Sequence, residues 1–126
     1  MSGFQTIRLQ GAAAELAPDG SQVRVLPRTS AGSMIHIELG AGRTSSAMVH
    51  RTVEEIWYVL SGHGEMWRRL GEREETVPLV PGVSLTIPRG THFQFRASAE
   101  APVSIVAVTM PPWPGDDEAI PVAGRW

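Results

Sequence analysis

Apolar residues fall in short runs along the chain, at residues 22–26, 33–39, 45–50, 55–60, 65–70, 83–87, 92–97 and 103–110. Each run is five to eight residues long, rich in Val, Ile, Trp and Phe, and closes on a turn signal. Two of them alternate strictly. Ile35, Ile37 and Leu39 interleave with Met34, His36 and Glu38, and Glu55, Trp57 and Val59 interleave with Ile56, Tyr58 and Leu60. A period of two belongs to strands, because successive side chains leave a strand on opposite faces. The turns read Gly40-Ala41-Gly42, Ser61-Gly62-His63-Gly64, Leu70-Gly71-Glu72, Pro81-Gly82 and Pro88-Arg89-Gly90. No window keeps a three-four spacing for the length of a helix, and the best candidate, residues 12–17, is too short. Many short strands at this spacing predict an all-β sandwich or barrel. Pro78 interrupts residues 76–80, so that segment is predicted to be an edge strand or an irregular bend.

Two regions extend the pattern. Ile56, Tyr58 and Leu60 form an outward row too apolar for free solvent, which predicts contact with a second sheet or a second subunit, and a homodimer. Residues 111–126 differ in kind, since Pro111, Pro112 and Pro114 break regular pairing and Asp116, Asp117 and Glu118 form an acidic cluster. Trp113 and Trp126 predict that this tail packs on the barrel or on a partner rather than trailing free.

Composition narrows the chemistry. At 126 residues the chain has the length of a single domain, with the barrel core at about 22–110. It has no cysteine, which removes disulfides, thiolate metal sites and cysteine nucleophiles. All 11 basic side chains counted as Lys or Arg are arginines, so no lysine Schiff base can form. The net charge of −2 makes no case for nucleic acid, and Arg68 and Arg69 are adjacent and so fall on opposite strand faces. Gly62-His63-Gly64 precedes a strand rather than a helix, against a phosphate loop. No apolar run approaches the roughly 20 residues of a membrane helix, and residues 1–10 lack a signal-peptide core, so a cytoplasmic protein is expected.

The segments GRTSSAMVHRTVEEIWYVLSG, from Gly42 to Gly62, and GVSLTIPRGTHFQF, from Gly82 to Phe95, carry a spacing that names a family. Gly42 is followed by five residues, Met48-Val49-His50, four residues, Glu55, six residues and Gly62. Gly82 is followed by five residues and Pro88-Arg89-Gly90. The chain resembles the cupin superfamily across residues 35–110, which implies a jelly-roll double-stranded β-helix barrel. Cupins with an intact motif hold Fe, Mn, Ni or Zn with three histidines and a glutamate. Carried over position by position, that set becomes Met48, His50, Glu55 and Phe93, so two of the four donors are replaced.

His92 sits one residue before the missing histidine. With a one-residue bulge after Gly90, His92, Gln94 and Arg96 turn inward and give a His50, Glu55, His92 metal set, with Arg96 near a substrate carboxylate. Without it, Phe93 and Phe95 face the cavity and His92 faces away. The apolar pattern favours the second arrangement, because it buries two phenylalanines rather than an arginine.

Met48, Trp57 and Phe93 would make the cavity mostly apolar around a few polar groups, the usual make-up of a small-molecule site. Two kinds of function follow. One is a cupin enzyme on a small organic acid or aromatic compound, of isomerase, lyase, decarboxylase or oxygenase type. A divalent metal on His50, Glu55 and His92 would assist it, or His50 and Glu55 would act alone as acid and base in an isomerase or cyclase. The other is a binding module without turnover, which the replacements at Met48 and Phe93 favour. Metal-free cupin sugar epimerases pair histidine with aspartate, and Asp19, Asp116 and Asp117 all lie outside the barrel motifs, which counts against that activity. His36 is predicted to belong to a polar outward stripe, His63 to an exposed turn, and Glu54 to the solvent side of Glu55.

Overall fold

The computed structural model describes residues 3–126, and among them eleven strands form two antiparallel sheets. In chain order these are β1 (Ala14–Leu16), β2 (Gln22–Arg28), β3 (Ser33–Leu39), β4 (Met48–His50), β5 (Glu54–Ser61) and β6 (Gly64–Leu70). They continue as β7 (Arg73–Leu79), β8 (Ser84–Ile87), β9 (His92–Ala97), β10 (Val103–Met110) and β11 (Ala119–Pro121). One sheet runs β1-β2-β3-β10-β5-β8 and the other β11-β4-β9-β6-β7. The architecture is the all-β two-sheet fold that the strand spacing predicted, and the jelly roll that the cupin resemblance implied.

Alternation decides what lies between the sheets. Ile35, Ile37 and Leu39 of β3, Trp57 and Val59 of β5, and Ile105 and Ala107 of β10 point inward from the first sheet. Met48, Met66, Phe93, Phe95 and Ala97 meet them from the second. A one-residue slip in any of these strands would exchange its buried and exposed sets, so hydrophobicity fixes the register.

The turn glycines are backbone requirements. Gly62 has φ +89°, and a Cβ there would collide with the carbonyl oxygen of Pro102. Gly90 has φ +87° and lets Thr91 N–H close a turn on Pro88 O at 3.1 Å.

Local chemistry redraws some boundaries. Residues 14–16 form a strand rather than a helical turn, with Ala14 opposite Arg24 of β2. Regular pairing in the 45–50 run begins only at Met48, because Ser46 N–H is donated instead to Asp19 O at 2.8 Å. Pro78 sits in β7, the edge strand of its sheet, where a missing N–H is tolerated. His36 does face outward with Met34 and Glu38, yet it is buried there, its Nε2 2.6 Å from Ser104 Oγ.

The tail lies against the barrel. β11 pairs with β4, Ala119 opposite His50 and Pro121 opposite Met48. Beyond it, the N–H groups of Arg125 and Trp126 both donate to Gln94 Oε1 at 2.9 Å. The tail therefore covers the outer face of β9.

Candidate functional site

A cavity of about 330 Å³ opens between the sheets. Val23, Ile35, Ile37 and Trp57 wall it from the first sheet, and Met48 and Phe93 from the second. Its mouth is made by the β1–β2 hairpin and the tail segment around Trp113.

Glu55 and His50 are brought together inside it. Glu55 faces inward from β5 and is 4% exposed; its Oε1 accepts a 2.7 Å hydrogen bond from Trp57 Nε1. Its Oε2 lies 3.8 Å from His50 Nδ1, too far for a hydrogen bond but within reach of one bridging atom. His50 is 7% exposed and its Nδ1 has no hydrogen-bond partner among the described residues. Its ring is wedged edge-on between Phe93 and Trp113, at centroid distances of 5.1 and 5.2 Å.

Burial sets the protonation of both. Desolvation pushes the Glu55 carboxyl up from 4.5 to about 7; the Trp57 bond opposes this, and the nearby carboxylates of Asp19 and Glu118 add to it. Desolvation also pulls His50 down from 6.5 to about 4, against the attraction of Glu118. Near neutral pH the cavity therefore holds a neutral imidazole beside a carboxyl that is about half protonated.

Register places the other candidates. Met48 and Phe93 stand directly opposite each other in the β4–β9 ladder and both point inward. Their neighbours Val49 and His92 form the next pair and point outward. His92 is consequently not a cavity residue. It lies on the outer face with its Nδ1 3.1 Å from an Arg69 guanidinium nitrogen, because no bulge intervenes after Gly90 and Phe93 and Phe95 take the core. Gln94 and Arg96 share that outer face. Gln94 is buried by the tail, while Arg96 binds Glu65 Oε1 at 2.7 Å and lies 4.1 Å over the Trp126 ring. Neither lines the cavity.

Three residues outside the motifs complete the site. Asp19, from the β1–β2 turn, lines the cavity; its Oδ1 accepts from Ser21 N–H at 2.9 Å and Ser21 Oγ at 2.6 Å, and burial raises its pKa against those two bonds. Asp19 lies outside the barrel motifs in sequence, yet the β1–β2 turn carries it to the cavity wall, and Asp116 reaches the rim. Trp113 is held by its N–H to Ser33 Oγ at 3.0 Å. Glu118 accepts from Thr52 N–H and Thr52 Oγ1 at 2.6 Å and from Val53 N–H at 2.9 Å. Its burial opposes ionisation, but these bonds and His50 hold its pKa below the usual range. Glu118 thereby clamps the turn joining the strands that carry His50 and Glu55.

The residues do not fit the divalent metal that the cupin resemblance implies. Among the described residues no three His, Cys, Asp or Glu side chains gather as a metal set. The two positions completing the expected sphere hold a thioether and a phenyl ring, which leave a hard or borderline cation two protein donors.

Sequence and structure comparisons agree with this fold. None of the curated proteins matches the chain. KdgF from a Halomonas species shares the fold with a TM-score of 0.76 and 18% identity, over 89% of this chain and 97% of that one. Streptomyces Pac13, a nucleoside dehydratase, gives 0.75 and 15% over 95% and 92%. The polyketide cyclase RemF from Streptomyces resistomycificus gives 0.75 and 19% over 98% and 88%. The cupin domain family model matches residues 34–109, more than half of the chain. With the inward positions of both motifs now located on β4, β5 and β9, the chain belongs to the cupin family.

Proposed function

We propose that this protein is a small-molecule enzyme that works by proton transfer without a metal, with Glu55 as the acid and base and His50 as its neutral partner. The observation that carries the reading is Glu55 itself. It is a buried carboxyl with one oxygen fixed by Trp57, the other beside the unpartnered His50 Nδ1, and a titration point near 7. A general acid–base group is most effective when its pKa lies close to the working pH. A substrate oxygen about 2.8 Å from both Glu55 Oε2 and His50 Nδ1 would bridge the 3.8 Å gap between them.

In its acid form Glu55 gives a proton to a carbonyl or departing hydroxyl oxygen. In its carboxylate form it takes one from carbon or oxygen. Isomerisation, cyclisation and dehydration are all built from those two steps, and the fold neighbours include a dehydratase and a cyclase. Trp57 orients the carboxyl, and the Met48, Phe93 and Trp113 side chains exclude water from it. The protein is further proposed to act as a homodimer in the cytoplasm; no helix among the described residues is long and apolar enough to cross a membrane.

Incubating the small-molecule fraction of a cell extract with the protein in D2O, followed by mass spectrometry, tests the activity. The expected result is a compound that gains deuterium or loses water with the wild type and not with Glu55→Gln. No Glu55-dependent change, together with a Glu55 carboxyl titrating in the ordinary carboxylate range, would overturn the reading. The replacements at Met48 and Phe93 favour a second reading, a binding module; saturable binding of an extract compound with no conversion would select it.

A further inference from the structure

We infer that the cavity selects a ring-bearing ligand that carries hydrogen-bond donors and no negative charge. This deepens the acid–base reading and rests on it for the role of Glu55.

The charge lining the cavity is one-sided. Glu15, Asp19, Glu55 and Asp116 all contribute to its wall, and Arg28 is the one cationic side chain among the described lining residues. Glu15, Asp116 and Arg28 are exposed at the rim, where water weakens their fields. Inside, Asp19 and Glu55 have no buried cation to answer them. His50 is no substitute, since burial keeps it neutral near pH 7. A ligand carboxylate or phosphate placed here would be a buried anion with no buried cation to pair it, beside two carboxyls whose own ionisation desolvation already opposes.

The free valences point the same way. Asp19 and Glu55 each have one oxygen engaged by the protein, Asp19 Oδ1 by Ser21 and Glu55 Oε1 by Trp57. Among the described residues no donor engages the second oxygen of either. In their ionised forms both free oxygens accept from hydroxyl or ammonium groups on a ligand, and an ionised acid group has no donor to offer them. The rest of the wall is apolar and aromatic. Trp57 and Phe93 meet edge to face at 6.1 Å, and Phe93 and Trp113 flank His50. Such walls favour a ring over a linear chain. At about 330 Å³ the space is at the small end for ligand sites, which run from about 300 to 1,000 Å³. The organic acid considered from sequence is therefore set aside in favour of the aromatic compound.

Three probes with one ring and different charge test this: tyrosol, tyramine and 4-hydroxyphenylacetate, titrated calorimetrically at neutral pH. Tyrosol and tyramine are expected to bind at least about tenfold more tightly than the acid. The preference should collapse in the Asp19→Asn/Glu55→Gln double variant, and should narrow in Asp19→Asn alone should the double variant fail to fold. Tyramine binding more tightly than tyrosol would identify a cationic ligand, and the reverse an uncharged one; either supports the proposal. Equal or tighter binding of the acid overturns it, as does a preference untouched by these substitutions or no binding of any probe at millimolar concentration. These outcomes are separate from the proposed chemistry. Preference for the acid would leave Glu55-dependent deuterium exchange standing, and loss of that exchange would leave the charge preference standing.

Discussion

Glu55→Gln should make the protein more stable at alkaline pH and leave it little changed in acid. The substitution keeps the shape of the side chain and an oxygen to accept from Trp57 Nε1, and it removes the ionisation. The folded state holds the Glu55 proton up to about pH 7, whereas an unperturbed glutamate releases it at 4.5. Between those values the folded protein binds more protons than the unfolded chain, so stability falls as pH rises through the window. At about 1.4 kcal/mol per pH unit the whole effect is about 3 kcal/mol, most of it between roughly pH 5 and 8.5. The glutamine variant lacks that slope. His50 contributes in the opposite sense, because its depressed folded pKa makes stability fall as pH drops from 6.5 towards 4. That term is present in both proteins and cancels in the comparison. Urea unfolding of both at about pH 5 and about pH 8.5 gives the two differences directly. The variant's advantage should grow by about 2.5 kcal/mol from the acid to the alkaline condition. Growth of less than about 1 kcal/mol, or a change of sign, would show that Glu55 is not held protonated by burial.

Other consequences are equally direct. Glu118→Gln should cost about 1.5–3 kcal/mol by weakening the charge-assisted bonds to Thr52 and Val53. It should also lower the titration point of Glu55, whose carboxylate Glu118 repels, as read by carbon NMR of the side chain; loss of stability with an unmoved Glu55 would reduce Glu118 to a purely structural clamp. Metal analysis of untagged protein should find well below one equivalent of any divalent ion, and Met48→His with Phe93→His should raise it. A full equivalent in the wild type that His50→Ala removes would refute the assignment of Glu55 as a free acid. Ile56, Tyr58 and Leu60 are 47%, 48% and 46% exposed on the outer face of β5, and light scattering should give a dimer mass at micromolar concentration. Tyr58→Glu should shift that mass to a monomer, and a monomeric wild type would exclude the dimer.

The barrel strands were legible because each carries its own period. β10 alternates in burial along its whole length, β5 does so as far as Leu60 and β3 does so apart from His36, and the motif glycines mark turns that need positive φ. The orientation of β9 was legible for the same reason, since burying Phe93 and Phe95 outweighs burying Arg96. β1 and β11 were not, because three-residue strands have no period and owe their existence to β2 and β4. The cupin resemblance with strand parity was enough to put Met48, His50, Glu55 and Trp57 on one cavity, with Phe93 and His92 as alternatives beside them. Asp19, Trp113 and Glu118 could not be placed that way. Their places depend on contacts distant in sequence: Asp19 reaches the cavity through a hairpin turn whose carbonyl receives Ser46, Trp113 through a proline-broken tail anchored on Ser33, and Glu118 acts from behind the cavity, bonded to the turn at Thr52 and Val53. The direction of the Glu55 shift follows from an apolar cavity already visible in sequence, whereas its size depends on how much water the assembled walls exclude.

That last dependence links the altered motif to the proposed chemistry. Met48 and Phe93 are cross-strand partners, so the two replaced donors face each other across a single rung of the β4–β9 ladder. Their loss does more than empty half a coordination sphere. It turns one wall of the cavity from imidazole, which hydrogen-bonds and hydrates, into thioether and phenyl, which do neither. Desolvation is the leading cause of both the raised Glu55 and the lowered His50. The replacements therefore act on the two retained residues through the medium around them. With imidazoles at those positions, a glutamate would be an ionised ligand held by a cation. Between Met48, Phe93 and Trp57, with Asp19 and Glu118 nearby, the same side chain avoids the cost of a buried charge by keeping its proton near pH 7. One pair of substitutions thus removes two metal donors and, in the proposed chemistry, supplies the dry wall that a proton-transfer carboxyl needs.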